Sequence, residues 1–338
     1  MHIVDITISA FVVAIIVVSL LSNIAVLIGF LYSPEIRKQV PGLFILNLTF
    51  CNLLLTVFNM PLTLVGLINK GHPGARGFCQ VVGFVDTFLT TNSMLSMAAL
   101  SIDRWVAVVF PLNYHSRIRH RDAVIALGYT WIHSLCFSAV ATCLSWVGYN
   151  HLYASCTLCS NRASGARTQF IIFTVVLHSL TFLLTLIVLC VTYLKVLKVA
   201  RFHCKRIDEI TMQTLVLFVD IHPSVRQRCL DEQRRRRQRA TKKISTFIGT
   251  FVVCFAPYVI TRIVELFTPG PINPHWGVAS KCLAYCKAAC DPFVYSLLRH
   301  QYRKTCSELA NRILKRSPLT SSPRKVEKGR GDVPKPVQ

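Results

Sequence analysis

The chain has 338 residues, of which 52% are hydrophobic and only 16% are charged. A soluble domain of this length carries roughly a quarter charged residues, so the composition excludes an ordinary soluble protein. The net charge of +23 could suit nucleic-acid binding, but most of the 38 Lys and Arg residues lie at 195–243 and 299–335. Basic residues confined to one side of a series of apolar segments are typical of a membrane protein instead.

Seven apolar segments are long enough to cross a bilayer, because about twenty residues in a helix span a hydrocarbon core near 30 Å. Lipid offers the backbone no hydrogen-bond partners, so these segments are expected to be helical. The predicted fold class is an all-α membrane protein with a seven-helix transmembrane bundle. The predicted spans lie at about 8–32, 42–67, 77–109, 123–147, 169–199, 241–268 and 275–298.

The charge distribution also predicts an orientation, since Lys and Arg concentrate on the cytoplasmic side. Residues 1–7 are then an extracellular N-terminus, 200–240 a long cytoplasmic loop and 315–338 a disordered cytoplasmic tail. Residues 299–314 mix Leu, Ile and Tyr with Arg and Lys, which predicts an amphipathic eighth helix on the inner leaflet, with Cys306 as a palmitoylation candidate. The predicted location is the plasma membrane, with membrane lipids as partners and no nucleic acid.

Three of the 14 cysteines, Cys79, Cys156 and Cys159, are predicted to face the oxidising outside. A bridge from Cys79 to the long loop before the fifth helix would close about 75 residues. Cys156 is the favoured partner and Cys159 the alternative. The pair Cys156-x-x-Cys159 lacks the second ligand pair of a zinc site, so no metal site and no cofactor are predicted.

Six motifs occur in order inside the predicted helices, and together they resemble the rhodopsin-like (class A) G-protein-coupled receptors. Cys79 lies 25 residues before Arg104, a spacing that matches the family. Residues 93–110 and 195–212 resemble an orphan branch of this family. The motifs are Asn23, Asn47-Leu48, Asp103-Arg104-Trp105, Trp131, Cys254-Phe255-Ala256-Pro257 and Asp291-Pro292-Phe293-Val294-Tyr295.

The resemblance implies that the sixth helix moves outward and that Arg104, held at rest by Asp103, then faces a heterotrimeric G protein. Arg237 stands where some relatives have an acidic restraint, and Phe255 where most have Trp. With Asn52 in helix two, these departures predict high basal activity. Thr185 replaces the usual proline of helix five. The full set of coupling and switch residues comprises Asp103, Arg104, Tyr193, Arg237, Phe251, Phe255, Pro257, Asp291, Pro292 and Tyr295.

Many relatives bind sodium near a helix-two Asp, which is Asn52 here, while the carboxylate has moved to Asp291 in helix seven. Lys287 lies four residues before Asp291, so the two share one helix face. We hypothesise that the Lys287 ammonium replaces the sodium ion, with Asn52, Ser93 and Asp291 around it. The alternative is that Lys287 points to a backbone carbonyl or to water.

Asp86 lies eighteen residues before Arg104, where amine receptors place the carboxylate that binds their ligand. An acidic residue inside a membrane is a functional candidate. Lys281 lies one turn from Tyr285 and could neutralise Asp86 internally, which competes with an amine ligand. The candidate pocket consists of Asp86, His178, Thr181, Tyr258, Arg262, Lys281 and Tyr285, with Glu265 beside Arg262.

No phosphate-binding glycine loop, nucleophile elbow or His-Glu-x-x-His motif occurs, so the chain is not predicted to be an enzyme. A transporter would be expected to have repeated halves with broken helices, which the sequence lacks. The leading prediction is a receptor that activates a G protein, of the stimulatory, cyclic-AMP-raising class by family resemblance. The alternatives are a ligand-dependent amine receptor that uses Asp86 and a non-coupling membrane interaction protein.

Overall fold

The computed structural model describes residues 3–71, 74–159, 167–217, 246–268, 270, 272–297, 304–305, 307–308 and 311. Seven long helices dominate these residues, and two one-turn helices, Pro34–Arg37 and Tyr114–Arg117, lie in the connections after the first and third. The long helices are α1 (Ile3–Tyr32), α2 (Val40–Asn69), α3 (Arg76–Val109), α4 (His120–Cys143), α5 (167–217), α6 (Thr246–Phe267) and α7 (274–297).

Five of these helices are long and apolar enough to cross a membrane by length and composition: α1, α2, α4, α5 and α6. The other two, α3 and α7, are more polar because they carry ionisable side chains on buried faces. Asp86 and Asp103 lie on α3, and Lys281, Lys287 and Asp291 lie on α7; all five are buried. Charged groups in a spanning helix are expected to face the bundle interior, so the polarity of α3 and α7 fits their position in the bundle.

Several predicted boundaries were wrong. Helix α1 begins at Ile3, five residues before the predicted start of the first span at about residue 8. Helix α4 ends at Cys143 instead of 147, because the backbone turns there and the amide of Trp146 donates to the carbonyl of Ala141 at 2.8 Å. Helix α5 continues to Leu217, well beyond the predicted end at 199.

Three of the helices contain a π-helical segment, a feature that the sequence analysis did not predict. These segments are Leu55–Asn59 in α2, Ser179–Leu183 in α5 and Pro292–Leu297 in α7. Such segments loosen the regular hydrogen-bond pattern and are frequent at functional sites. In α5 the segment precedes Thr185, whose hydroxyl donates to the carbonyl of Met94 on α3 at 3.3 Å.

Between α4 and α5 the chain forms a β-hairpin that was also not predicted. Strand β1 (Val147–Asn150) pairs antiparallel with β2 (Ser155–Leu158), with Val147 opposite Leu158. A disulfide joins Cys79 at the start of α3 to Cys156 in β2, with Cα atoms 5.3 Å apart, so the favoured pairing is the one in the structure. We call the side of the bundle that carries β1 and β2 the hairpin end.

Helix α3 occupies the centre of the bundle, where it packs against α2, α4, α5 and both strands, while α1 packs against α2 and α7. The tail 315–338 and most of the loop 200–240 lie outside the described residues. The predicted eighth helix, 299–314, also lies outside them except for five positions. Arg237 and Cys306 are among the positions that are not described. These features remain predictions.

Candidate functional site

The first site is an ion pair between α3 and α7 in the half of the bundle next to the hairpin. The ammonium of Lys281 lies 2.5 Å from the carboxylate of Asp86, and both side chains are almost completely buried, at 2% and 4% exposed. Lys281 therefore lies where the sequence analysis placed either an internal partner for Asp86 or a cationic ligand. The internal pairing, one of the two alternatives, is the one in the structure.

Two tyrosines complete the environment of this ammonium. Lys281 Nζ lies 4.8 Å from the centre of the Tyr258 ring and 5.1 Å from that of Tyr285. A cation near the faces of two aromatic rings is stabilised by their quadrupoles, most strongly where water is absent. The Tyr285 hydroxyl also lies 3.0 Å from the hydroxyl of Thr63 on α2. Lys281 is thus surrounded much as an amine ligand would be, but by groups of its own chain.

The hairpin covers this site. Tyr153, in the connection between β1 and β2, is fully buried, and its ring packs edge-on against Tyr258 with centroids 5.3 Å apart. Thr157 in β2 lies within hydrogen-bond distance of the Tyr258 hydroxyl, at 3.3 Å. The sequence analysis missed Tyr153; its position between two short strands gave no periodic signal.

Polar contacts between the hairpin and α6 hold the hairpin over the Lys281–Asp86 pair. The guanidinium of Arg262 donates to the Leu158 carbonyl at 2.5 Å and to Glu265 at 2.8 Å. Glu265 also accepts hydrogen bonds from the Tyr153 hydroxyl at 3.1 Å and from the Asn150 amide at 3.0 Å. The sequence analysis placed Arg262 among the pocket candidates with Glu265 beside it, and in the structure the two residues contact the hairpin that covers the pocket.

Of the two remaining pocket candidates, both on α5, Thr181 is buried and His178 is half-buried, and neither makes an observed hydrogen bond to the ion pair. Thr181 donates to the Leu177 carbonyl of its own helix at 2.6 Å. The Nε2 atom of His178 is buried and makes no hydrogen bond within the described part of the chain. These observations give neither residue a role in binding.

The second site lies deeper, between α1, α2 and α7. The ammonium of Lys287 contacts the carboxylate of Asp291 one turn further along α7, and both side chains are 2% exposed. The other carboxylate oxygen of Asp291 accepts from the Asn52 amide at 3.2 Å. Asn52 also contacts Asn23 at 3.4 Å, and Asn23 donates to the Ala288 carbonyl at 2.9 Å. The predicted ion pair is therefore embedded in an amide network.

A small cavity separates the two ion pairs. Its lining includes Ser93 on α3, Phe255 on α6, and both Lys281 and Lys287 on α7. The free space is about 10 Å³, at the lower limit for a single water molecule. This cavity is therefore too small for a small-molecule ligand, and Ser93 and Lys287 both line it.

At the opposite end of α3, Asp103 has two partners. Its carboxylate lies 4.0 Å from Arg104 Nε and accepts a hydrogen bond from the Tyr114 hydroxyl at 2.6 Å. Burial, together with the neighbouring Asp103, raises the pKa of Tyr114, so its phenol stays protonated and remains a donor. The sequence analysis predicted the contact between Asp103 and Arg104 but missed Tyr114, whose contact is shorter.

Aromatic side chains connect α5 and α6 along the core. Phe251 is fully buried, stacks on Phe182 with centroids 5.4 Å apart, and meets Phe255 edge-on at 5.3 Å. Tyr193 packs against Phe247 at 4.4 Å. The predicted switch residues Phe251, Phe255 and Tyr193 therefore belong to one hydrophobic core cluster, while the side chain of Tyr295 lies outside the described part.

The other motif residues join α2, α3 and α4. The Trp131 indole donates to the Asn47 side chain at 2.8 Å, and Asn47 donates to Asn92 at 2.7 Å and to Ser96 at 2.8 Å. Motif residues that are far apart in the sequence are therefore joined by hydrogen bonds between helices.

Such a bundle, with a disulfide-linked hairpin at one end and an Asp-Arg pair at the other, defines a seven-helix membrane receptor. The chain belongs to the rhodopsin family of seven-transmembrane receptors, whose sequence profile matches residues 22–295. It is therefore a multi-pass membrane receptor and not an enzyme.

Among individual proteins, the chain is similar to human G-protein coupled receptor 26, with 67% identity over 305 residues that cover 90% of each chain. It is 49% identical to human G-protein coupled receptor 78 over 92% of this chain and 85% of that one. The human histamine H2 receptor is 25% identical over 94% of this chain and 84% of that receptor. The predicted resemblance to an orphan branch of the family is confirmed by the first two relatives.

Proposed function

We propose that this receptor activates a heterotrimeric G protein of the stimulatory class without a bound ligand and so raises cyclic AMP. The observation that carries the proposal is the Lys281–Asp86 pair beneath the hairpin. A cationic ligand would normally bind such a carboxylate, but here the cation belongs to the chain itself. The negative charge of Asp86 is then neutralised without a ligand.

The amine-receptor alternative is weaker for the same reason. An amine could reach Asp86 only by displacing Lys281 and opening the hairpin contacts made by Arg262 and Tyr153. Breaking a buried ion pair costs about 3–5 kcal/mol, which corresponds to a loss of at least a hundredfold in affinity. The histamine H2 receptor is a relative at 25% identity, too distant to transfer its ligand.

The proposed orientation places the hairpin end outside the cell. The Cys79–Cys156 disulfide requires an oxidising environment, and the basic stretches follow the opposite ends of α5 and α7. Arg104 then lies at the cytoplasmic end of α3, where outward movement of α6 would expose it to the G protein. The 4.0 Å separation between Arg104 and Asp103 is a loose restraint, which is consistent with basal activity.

We also propose that Lys287 takes the place of the sodium ion that many family members bind. The ammonium contacts Asp291, which Asn52 also contacts, and the adjoining cavity is at the lower size limit for one water molecule. A cation that belongs to the chain would make the equilibrium between the resting and the active receptor independent of external sodium.

The proposed coupling is tested by measuring cyclic AMP in cells that express graded amounts of the receptor without added ligand. We expect a dose-dependent rise that Arg104→Ala abolishes at equal surface expression. Arg121→Ala, which removes an exposed arginine at the start of α4, is the matched control and should retain the rise.

A flat response of the unmodified receptor, or a rise that survives Arg104→Ala, would contradict the proposal. A rise in the signal of another G protein class would reject the stimulatory assignment alone. No response from any class would favour the non-coupling interaction protein.

A further inference from the structure

Two cysteine side chains meet between α6 and α7, beside the ion pairs but not part of them. Cys254 on α6 is 5% exposed and shares a side-chain hydrogen bond with Cys290 on α7, which is half-buried. Both are free thiols in the structure. Lys287 lies close enough to interact electrostatically with both sulfur atoms. The two thiols therefore form a cluster of nucleophilic groups that the proposed coupling does not use.

Packing and hydrogen bonding alone do not account for a thiol on each helix. A thiol is a weak donor and a weak acceptor, so the hydrogen bond between Cys254 and Cys290 contributes little. A buried cysteine otherwise packs as a small apolar side chain, which other residues could replace. Two thiols in contact differ from any other pair of small side chains because they can form a covalent bond.

The arrangement favours such a bond. Sulfur atoms that share a hydrogen bond are already neighbours, so bond formation mainly requires rotation of the two side chains. The thiolate is the reactive form of cysteine, and cations such as Lys287 are typical neighbours of reactive cysteines. Cys286, one turn before Cys290 on α7, shares no hydrogen bond with Cys254 within the described part of the chain. The contact therefore selects one partner from the cysteines of α7.

The oxidant would be a hydroperoxide, and hydrogen peroxide is a small, uncharged example. One sulfur attacks a peroxide oxygen, the O–O bond breaks, and a sulfenic acid and one water molecule are formed. The second sulfur then displaces the hydroxyl group of the sulfenic acid, which leaves with the proton of the second thiol as another water molecule. The two thiols lose two electrons and two protons in total, and the peroxide is reduced to water.

Both cysteines lie next to points where their helices depart from regular geometry. Cys254 lies three residues before Pro257, and a proline inside a helix removes a backbone hydrogen bond and allows a bend. Cys290 lies two residues before the π-helical segment that begins at Pro292. A bond between the two cysteines would connect α7 to the part of α6 that leads to the end carrying Thr246, which moves in the proposed activation.

We propose that a hydroperoxide converts Cys254 and Cys290 into a disulfide, and that this bond ties α6 to α7 and holds the receptor at rest. Formation of the bond does not depend on coupling, whereas its effect on signalling rests on the proposed function. Glutathione is charged, and entry of a charged group into the apolar bundle is costly. The bond is therefore expected to persist after the peroxide is removed.

The test exposes the purified full-length receptor in nanodiscs to graded hydrogen peroxide, blocks the remaining thiols with N-ethylmaleimide and analyses tryptic peptides by mass spectrometry. The tryptic peptide 244–262 contains Cys254 as its single cysteine, and the peptide 288–299 contains Cys290 as its single cysteine. Cys286 falls into a third peptide. We expect the first two peptides to be linked, with a mass two hydrogen atoms below their sum, and to separate on reduction.

Serine variants identify the reacting thiols. Cys254→Ser and Cys290→Ser should each abolish the linked product, and the half-buried Cys290 provides the test alone if Cys254→Ser does not fold. Cys286→Ser is the matched control, because it removes another half-buried thiol one turn away on the same helix. This control should form the linked product to the same extent as the unmodified receptor.

The effect on signalling is measured as basal nucleotide exchange on a purified stimulatory G protein, with the same nanodiscs after removal of the peroxide. The exchange rate should fall by the fraction of receptor that carries the bond. Peroxide should leave the exchange rate of Cys290→Ser unchanged, whereas Cys286→Ser should respond as the unmodified receptor does.

Two results would overturn the assigned pair: peptides that stay unlinked after peroxide, or a link from Cys254 to Cys286 instead of Cys290. Undiminished exchange by a fully linked receptor would overturn the claim that the bond holds the receptor at rest. A receptor without any basal exchange would contradict the proposed function alone, because the linked peptides still decide whether the bond forms.

Discussion

Lys287 and Asp291 illustrate how two residues of one helix can form an internal ion pair. Four positions apart on α7, they form an ion pair that Asn52 also contacts. A lysine buried without a partner would lose its proton or destabilise the fold, so the pairing with Asp291 accounts for its presence. According to the hypothesis, the Lys287 ammonium neutralises the carboxylate of this site, as a bound sodium ion does in many relatives.

Lys287→Asn tests the replacement, because it removes the ammonium and leaves Asp291 without its cation. We expect sodium to raise the thermal unfolding midpoint of this variant, since a ligand that binds the folded state stabilises it. The unmodified receptor should unfold at the same temperature in sodium and in choline chloride. Sodium stabilisation or millimolar sodium inhibition of the unmodified receptor would reject the hypothesis.

The pair of Lys281 and Asp86 makes a second prediction at the scale of single residues. Lys281→Met leaves a buried carboxylate alone and should destabilise the receptor by about 3–5 kcal/mol. The double variant Lys281→Met with Asp86→Asn removes both charges and should recover much of that loss. Thermal unfolding of the purified proteins measures both effects. Equal stability of the single variant and the parent would show that the pair is not buried in the membrane.

At the scale of elements, the hairpin depends on glycines in the helices beneath it. A Cβ atom on Gly277 of α7 would lie 2.2 Å from the Leu152 carbonyl oxygen, and one on Gly66 of α2 would lie 2.4 Å from that of Ala154. Backbone atoms at these distances leave no room for a methyl group. The hairpin can cover the pocket because α2 and α7 lack side chains at these two points.

Gly277→Ala should therefore displace the hairpin, lower the thermal stability by about 1–3 kcal/mol and alter the basal cyclic AMP signal. Gly128→Ala on α4 is the matched control, because a Cβ there meets open space. In a helix that control should be neutral or more stable by about 0.5–1 kcal/mol. Equal effects of the two variants on stability and signalling would indicate that the hairpin does not need this close approach.

The hairpin also marks what the sequence analysis missed among the elements. Each strand has four residues, and all four side chains of β2 are buried, so the alternation that identifies a strand is absent. Its pairing depends on the disulfide to α3 and on contacts with α6. The π-helical segments were not predicted for a similar reason, since they change the backbone hydrogen bonding without changing the apolar pattern of the sequence.

At the scale of the whole molecule, the charge distribution predicts the orientation. An epitope at the N-terminus should be detected on intact cells and one at the C-terminus only after permeabilisation, because the basic stretches remain in the cytoplasm. Antibody staining of both tagged receptors provides the measurement, with each tag serving as the control for the other. The reverse pattern would invalidate the assignment of the hairpin to the outside.

The apolar segments of the sequence predicted seven helices, since lipid forces the backbone to satisfy its hydrogen bonds internally, and five of the seven described helices are apolar enough to span a membrane by composition. The motif spacing determined the family, and the four-residue spacing of Lys287 and Asp291 determined their pairing on one helix face. Distances between helices are different, because they depend on how the bundle closes. The tertiary structure alone decided that Lys281 neutralises Asp86, that Tyr153 covers this pair and that Tyr114 binds Asp103.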